Sequence, residues 1–320
     1  MATPTYRIPA EVFEMIFKMT MQMTEGGRTV GSLRTLLGLM RVCRHWHTTI
    51  LNCPRLWTYL DGGLPPHVAR RVIERSRGLP ILSLDWGTYD EDNSDEQKRA
   101  TWWMITENSS RFKSMDLTIW GETEDAIWSV LESTTTALES LTIEVQCECT
   151  GEFTLSRGGP LKYLSLNDVS LNFNSQRLSG LVILRLYGSA VPRSLKKLIR
   201  LLGVAAAQLE ELTIRDCNSR TDYRPSSSIT LPRLKEIELK AISNSYSTAL
   251  AATIYAPACS YIRIEESDPG PSEILDPTIW QPGNTQVAAF LGLHSGSEPR
   301  ALQISIAVIF STINIKVKEQ

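Results

Sequence analysis

Histidine is scarce in this chain of 320 residues, with four set against 33 Lys and Arg, and that scarcity already narrows its chemistry. His45 and His47 flank Trp46, where on a helix they diverge rather than converge, and His67 and His294 stand alone. There is no G-x-G-x-x-G, no phosphate-cradling glycine loop and no G-x-S-x-G elbow. Gly292-Leu293-His294-Ser295-Gly296 has the glycines but puts its serine at the wrong place. Six cysteines (Cys43, Cys53, Cys147, Cys149, Cys217, Cys259) lie scattered without framework spacing. Cys147-x-Cys149 is the one close pair, and it lacks the second pair or the histidines that a four-ligand zinc site needs. The run Asp90-Glu91-Asp92 with Asp95-Glu96 lacks the glycine and the distant glutamate of a calcium loop. Neither an enzyme nor a cofactor or metal protein is expected.

Long apolar runs are missing too. Ile306-Ala307-Val308-Ile309-Phe310 is far too short to span a bilayer, and the polar start Met1 to Arg7 predicts no secretory leader. The expectation is an intracellular protein, cytoplasmic or nuclear, with free thiols, so the sequon Asn108-Ser109-Ser110 carries no meaning. No basic stripe interleaves with aromatics, so neither nucleic acid nor membrane is expected as a partner. The net charge of −2 hides an asymmetry: residues 1–60 hold seven Lys/Arg against three acids, giving +4, and the remainder carries −6.

What the chain does have begins at Tyr6 and ends at Leu60. Pro9 suits a helix start, where its missing N–H costs nothing. Val12, Phe13, Ile16 and Phe17 then recur on one helical face. Val42, Cys43, Trp46 and Ile50 repeat that spacing on a later helix, which Pro54 helps to end. About fifty residues bury a core with difficulty, so such a piece is marginal unless it leans on a partner.

These residues resemble the F-box, a three-helix module that docks proteins onto a Skp-family adaptor. Ile8-Pro9 corresponds to the family's Leu-Pro start, and Val12, Phe13, Ile16 and Phe17 to its first helix. Leu36, Leu37 and Leu39 fall on the second helix, Val42-Cys43-Arg44-His45-Trp46 on the Val-Cys-x-x-Trp core, and Leu56-Trp57 on the closing Leu-Trp. By this resemblance Ile8, Pro9, Val12, Phe13, Ile16, Phe17, Leu36, Leu37, Leu39, Val42, Cys43, Trp46, Leu56 and Trp57 are the adaptor-binding residues. The stretch from Thr20 to Ser32 is longer than the family's usual link, and its glycines read as a loop.

Beyond Leu64-Pro65-Pro66 lies a helical pattern, His67 to Arg77, and then a recurring apolar-x-x-apolar-x-apolar cluster. It occurs at Leu79/Leu82/Leu84, Phe112/Met115/Leu117, Leu138/Leu141/Ile143, Leu161/Leu164/Leu166 and Leu181/Leu184/Leu186. It continues at Leu209/Leu212/Ile214, Leu234/Ile237/Leu239 and Cys259/Ile262/Ile264, with a ninth at Ala301/Ile304/Ile306. Successive steps of 33, 26, 23, 20, 28, 25, 25 and 42 residues mostly sit in or near the leucine-rich-repeat range. Helices are predicted between clusters at Glu96 to Glu107, Glu122 to Ser133 and Arg193 to Gln208, and a short loop at Val169 to Gly180. Trp102, Trp103, Trp120 and Trp128 fit helix–sheet packing better than a binding face. Gln286 to Leu293 reads as one more short helix, and Leu302 to Val317 as a strand of unknown partner.

The fold expected is therefore α/β, with an N-terminal three-helix module over residues 1–60, a linker helix over 61–78, and an irregular parallel-sheet solenoid over 79–320 that resembles leucine-rich-repeat domains. An ordinary α/β sheet domain would also give short apolar clusters. The F-box resemblance implies a substrate receptor of an SCF-type ubiquitin ligase, holding a Skp-family adaptor, through it a cullin, and an unidentified protein target. An F-box scaffold acting outside ubiquitylation and an α/β hydrolase are the alternatives.

Overall fold

The computed structural model describes residues 9–22, 32–61, 64–81, 83–87, 104, 106–119, 128, 131, 137–146, 152–153, 155, 159, 161–171, 176–217, 228–265, 302–309 and 312–319. The chain is mixed α/β, built on parallel strands, and it divides into two compact units, residues 1–138 and 139–320. Among the described residues no helix is long and apolar enough to cross a membrane.

The first unit opens with three helices, α1 (Ala10–Gln22), α2 (Ser32–Met40) and α3 (Arg44–Asn52). The carbonyl of Pro9 accepts the amides of Val12 and Phe13 at 3.1 and 3.2 Å, which starts α1. Cys43 caps α3: its backbone is extended and its Sγ accepts the Trp46 amide at 3.5 Å. Val42 thus lies in the turn before α3 rather than on it, a correction to the helical spacing read from Val42 through Ile50. A 3-10 turn at Pro54–Trp57 follows, then strand β1 (Tyr59–Asp61) and helix α4 (Pro66–Arg75). Pro66 is the first residue of α4, so the proline pair starts this helix as well as ending what precedes it. β1 pairs in parallel with β2 (Ser83–Gly87), and β2 with β3 (Ser114–Ile119).

In the second unit six strands run parallel: β4 (Ser140–Val145), β6 (Tyr163–Asn167), β8 (Ile183–Tyr187), β9 (Glu211–Cys217), β11 (Glu236–Ile242) and β13 (Tyr261–Glu265). Two small parallel pairs lie outside that sheet, β5 (Glu152–Phe153) with β7 (Ser170–Leu171) and β10 (Ile229–Thr230) with β12 (Ile254–Tyr255). The first cluster is read two residues too early: Ile81 bridges Phe112, Leu84 pairs with Met115 and Trp86 with Leu117, so the structure aligns Ile81, Leu84 and Trp86 with the second cluster instead of Leu79, Leu82 and Leu84. In the second unit the clusters fall in register. Leu141, Leu164, Leu184, Leu212, Ile237 and Ile262 form one row across the sheet, and Ile143, Leu166, Leu186, Ile214, Leu239 and Ile264 the next. Leu161, Leu181, Leu209, Leu234 and Cys259 precede their strands and are buried as well. Helix α5 (Leu195–Ala205) turns Leu195, Leu198, Leu201, Leu202 and Ala205 inward, and α6 (Asn244–Thr253) buries Tyr246 and Leu250. No cluster could bury these side chains alone; stacking is what removes them from water.

The backbone repeats with the side chains. The residue that follows the third outward position of each strand is left-handed four times: Asp168 (φ 55°), Gly188 (φ 58°), Asp216 (φ 58°) and Ala241 (φ 50°). At Asp216 and Ala241 this conformation interrupts the ladder for one residue, since Cys217 and Ile242 pair beyond it, and Asp and Gly adopt it more readily than Ala. The Asp168 carboxylate then accepts the Ser189 amide at 2.9 Å, joining one turn to the next.

Three expectations change here. Val169 to Gly180 is not a plain loop, since β7 and a 3-10 turn at Gln176–Gly180 lie in it, anchored by buried Val169 and Leu178. Leu302 to Val317 holds two strands, not one: β14 (Leu302–Ile309) and β15 (Thr312–Glu319) pair antiparallel, and β15 joins β13 antiparallel. The cluster Ala301/Ile304/Ile306 therefore does not continue the parallel series, because the strand entering beside β13 runs the other way. The expectations for Trp102, Trp103, Trp120, Cys147, Cys149, the acidic run 90–96 and the helix 286–293 fall outside the described residues, as do those for most of 96–107 and 122–133. Trp128 is half-buried.

Candidate functional site

Two surfaces of different chemistry stand out, one in each unit. The first rests on an aromatic cluster inside the helical module. Phe13 and Phe17 lie 5.7 Å apart, and Trp46 meets them edge-on at 5.9 and 5.3 Å, with the His45 ring 5.4 Å from Phe13. Trp57 donates its indole N–H to the Ile50 carbonyl at 2.9 Å and lies under the Arg75 guanidinium, 4.4 Å from its ring centre. Leu33, Leu36, Ile50, Leu56 and Leu60 complete this interior.

The fourteen residues singled out in the sequence thus divide by burial. Phe13, Phe17, Leu36, Leu56 and Trp57 are buried, so they shape the module and offer no face to a partner. Pro9, Val12, Ile16, Leu37, Val42 and Cys43 are exposed, Leu39 and Trp46 are half-buried, and Ile8 lies outside the described residues. Met15 (56 % exposed) and Met19 (63 %) join the exposed set, although sequence reasoning passed over them. Their signal was the spacing: Val12, Met15, Ile16 and Met19 follow i, i+3, i+4, i+7 on α1. Together with Leu37 and Val42 they make up every large hydrophobic residue classed as exposed among the described residues. The inserted stretch begins later than its sequence suggests, because α1 runs to Gln22 and α2 begins at Ser32.

Beside this module a cleft of 540 Å³ is lined by Glu14, His45, Asn52, Cys53 and Arg55, among others. Burial, with the charge of Glu14 and a hydrogen bond to it, pushes the Cys53 thiol up despite opposing backbone hydrogen bonds from Arg55 and Leu56. A thiol held protonated is a poor nucleophile. Cys259 is pushed up to about 12, chiefly by burial, and is equally inert.

The second surface is the outward face of the second unit's sheet. Alternation along each strand sends the apolar rows inward and leaves polar rows outward. One row reads Ser140, Tyr163, Ile183, Glu211, Glu236, Tyr261; the next Thr142, Ser165, Arg185, Thr213, Glu238, Arg263. The third reads Glu144, Asn167, Tyr187, Arg215, Lys240, Glu265. Glu238 is the hub, with Arg215 at 2.9 Å, Lys240 at 2.9 Å and Arg263 at 3.7 Å. Burial alone would raise its carboxyl, but hydrogen bonds from Arg215 and Lys240, with their charges, hold it below the ordinary range. Burial works against the charged form of Arg215 as well, and Glu238 outweighs it. Arg185 pairs with Glu211 at 3.6 Å and covers the Tyr163 ring at 5.5 Å, while Arg215 covers Tyr187 at 5.4 Å. Arg185, Tyr187, Glu211, Arg215, Glu236 and Glu238 line a hollow of 290 Å³.

Such a face presents charges and rings, groups that can hold a ligand. No family model matches the chain, and no curated protein or solved structure matches it either.

Proposed function

We propose that this chain is a non-catalytic substrate receptor of an SCF-type cullin–RING ubiquitin ligase. In this reading α1 to α3 form an F-box that holds a Skp-family adaptor, and the repeating strands form a leucine-rich-repeat-like solenoid whose outward face holds a protein target. The observation that carries it is that, among the described residues, every exposed large hydrophobic (Val12, Met15, Ile16, Met19, Leu37 and Val42) lies in the helical module with the aromatic interior. A soluble chain rarely leaves such a patch uncovered unless a partner covers it. The solenoid is supported by the register of the clusters and by left-handed residues recurring at Asp168, Gly188, Asp216 and Ala241. The mechanism is proximity: a target tethered near a charged ubiquitin carrier reacts at high effective concentration.

The test is capture from lysate with Val12→Ser/Ile16→Ser beside the parent chain. Both side chains are exposed, so the variant melts like the parent. The expected result is recovery of a Skp-family adaptor with a cullin by the parent and loss of both by the variant. Adaptor without cullin would mean a scaffold outside ubiquitylation, and undiminished capture by the variant would overturn the F-box reading.

A further inference from the structure

We propose that the exposed side of α5 is a docking surface for an acidic protein segment, held by Arg193, Lys196, Lys197 and Arg200. The four recur at i, i+3, i+4 and i+7, Arg193 just ahead of the helix and the others on it, and all are exposed. The opposite side of α5 is closed, since Leu195, Leu198, Leu201 and Leu202 are at most 1 % exposed. The stripe therefore lies on the helical side of the second unit, away from the polar rows of the sheet, so the two surfaces can hold different partners.

No Asp or Glu occurs between Asp168 and Glu210, a stretch with six Lys and Arg, although acids outnumber bases by 35 to 33 in the whole chain. The four cations of the stripe have no ion pair among the described residues. In the same unit Lys162, Arg185, Arg215, Lys235, Lys240 and Arg263 each hold a carboxylate. Left empty, the stripe is destabilising in two ways. Like charges three and four residues apart repel. Lys196 and Lys197 also stand in the first turn of α5, at the positive end of the helix dipole, and that turn holds no acid. Carboxylates of a partner relieve both.

A protein segment fits the stripe better than a membrane or a nucleic acid does. A helix that binds lipid inserts its apolar side, and that of α5 is buried in the core. At 1.5 Å per residue the stripe is about 10 Å long, too short to follow a run of phosphates. Residues 193–204 contain no aromatic on which a base could stack. The same length is spanned by about three extended residues, so a short run of Asp and Glu covers it.

The experiment uses the full chain and fluorescence anisotropy of a labelled peptide, Gly-Glu-Glu-Asp-Glu-Glu-Asp-Gly, against a counterpart with Gln and Asn in place of the acids. The acidic peptide binds and the neutral one does not. Lys196→Gln/Lys197→Gln weakens binding about 5-fold, in line with two exposed ion pairs. That variant melts no lower than the parent, because both side chains are exposed and their removal relieves repulsion. Arg70→Gln/Arg71→Gln, which removes two exposed cations of α4, leaves binding unchanged. Equal loss with Arg70→Gln/Arg71→Gln would show diffuse attraction by positive charge and overturn the docking surface. So would undiminished binding by Lys196→Gln/Lys197→Gln, or tighter binding of the parent to phosphatidylserine vesicles or to a DNA duplex than to the peptide.

Discussion

The helical module and the repeat sheet solve the problem of surface in opposite ways. In the module, five of the aromatic and aliphatic residues that carry its sequence pattern go inside, and a second set on the same helices stays in water. In the sheet, apolar side chains fill the inward rows, and several charges of the outward rows pair across the strands, as at Arg215–Glu238 and Arg185–Glu211. A surface of matched polar groups is stable with or without a ligand, whereas an exposed apolar stripe is costly until covered.

The hardest blow to the sheet would be a charge in its shared core. Leu212 is buried and sits in a row with Leu184 and Ile237. Leu212→Asp places an unpaired carboxylate there and should cost more than about 4 kcal/mol, enough to prevent cooperative folding of the second unit. Thr213, one residue along, would be a free surface position by alternation alone, but it is only 8 % exposed. It lies between Arg185 and Glu238 in register, so Thr213→Asp should cost about 1 kcal/mol rather than nothing. Thermal melts that place the two variants together would break the face assignment.

In the module the matching change is Trp46→Ala. Its ring meets both Phe13 and Phe17, yet the residue is half-buried, so about 3 kcal/mol is expected, near the low end for a core tryptophan. Its indole N–H is buried without an acceptor, which makes the loss smaller than for Trp57, whose N–H bonds Ile50. Denaturant unfolding of the full chain should show an early transition for Trp46→Ala with the sheet's transition unmoved. A Trp46→Ala chain that unfolds like the parent would mean that the aromatic cluster holds nothing together.

The repeat turns offer a smaller test. At Gly188 the backbone is left-handed, and an added Cβ would clash with Asp168 Oδ1, which is held by the Ser189 amide. Gly188→Ala should therefore cost about 2 kcal/mol, through both the strained φ and the displaced carboxylate. Asp168→Gly/Gly188→Ala should recover part of that loss, since the clash is gone and glycine accepts the left-handed φ of 55° at 168. A double variant no better than Gly188→Ala alone would show that φ, not the carboxylate, sets the cost.

The apolar clusters were legible because each strand spends its inward positions on Leu or Ile, and the register follows from that periodicity. Helix α5 was legible for the same reason, with Leu195, Leu198 and Leu202 at helical spacing. The hairpin of β14 and β15 was not, because strand direction leaves no mark on alternation: Ile304 and Ile306 look the same in a parallel or an antiparallel ladder. In the module the motif residues were legible as a pattern, but a pattern alone does not say which side of a helix faces in. Phe13 and Phe17 proved internal while Val12 and Ile16, one position before each, stayed out. The ion-pair hub at Glu238 needed the register itself, since Arg215 and Arg263 are distant from it in sequence and adjacent only across strands.

That hub gives the smallest and most pH-specific effect. The folded-state pKa of Glu238 is depressed, so the stability it contributes is present above the ordinary carboxylate value and is lost as pH falls through the folded one. Glu238→Gln should lower stability by under about 1 kcal/mol at neutral pH, because Arg215 and Arg263 are both partly exposed and water screens them. The difference from the parent chain should hold steady from pH 7 to pH 5, shrink below that, and vanish once Glu238 is protonated in the folded state. Melting temperature against pH for the two proteins reads this directly. A gap that stays constant down to pH 3 would mean that the hub stabilises by packing rather than by charge, and the outward face would then be as indifferent to charge as the module's apolar stripe.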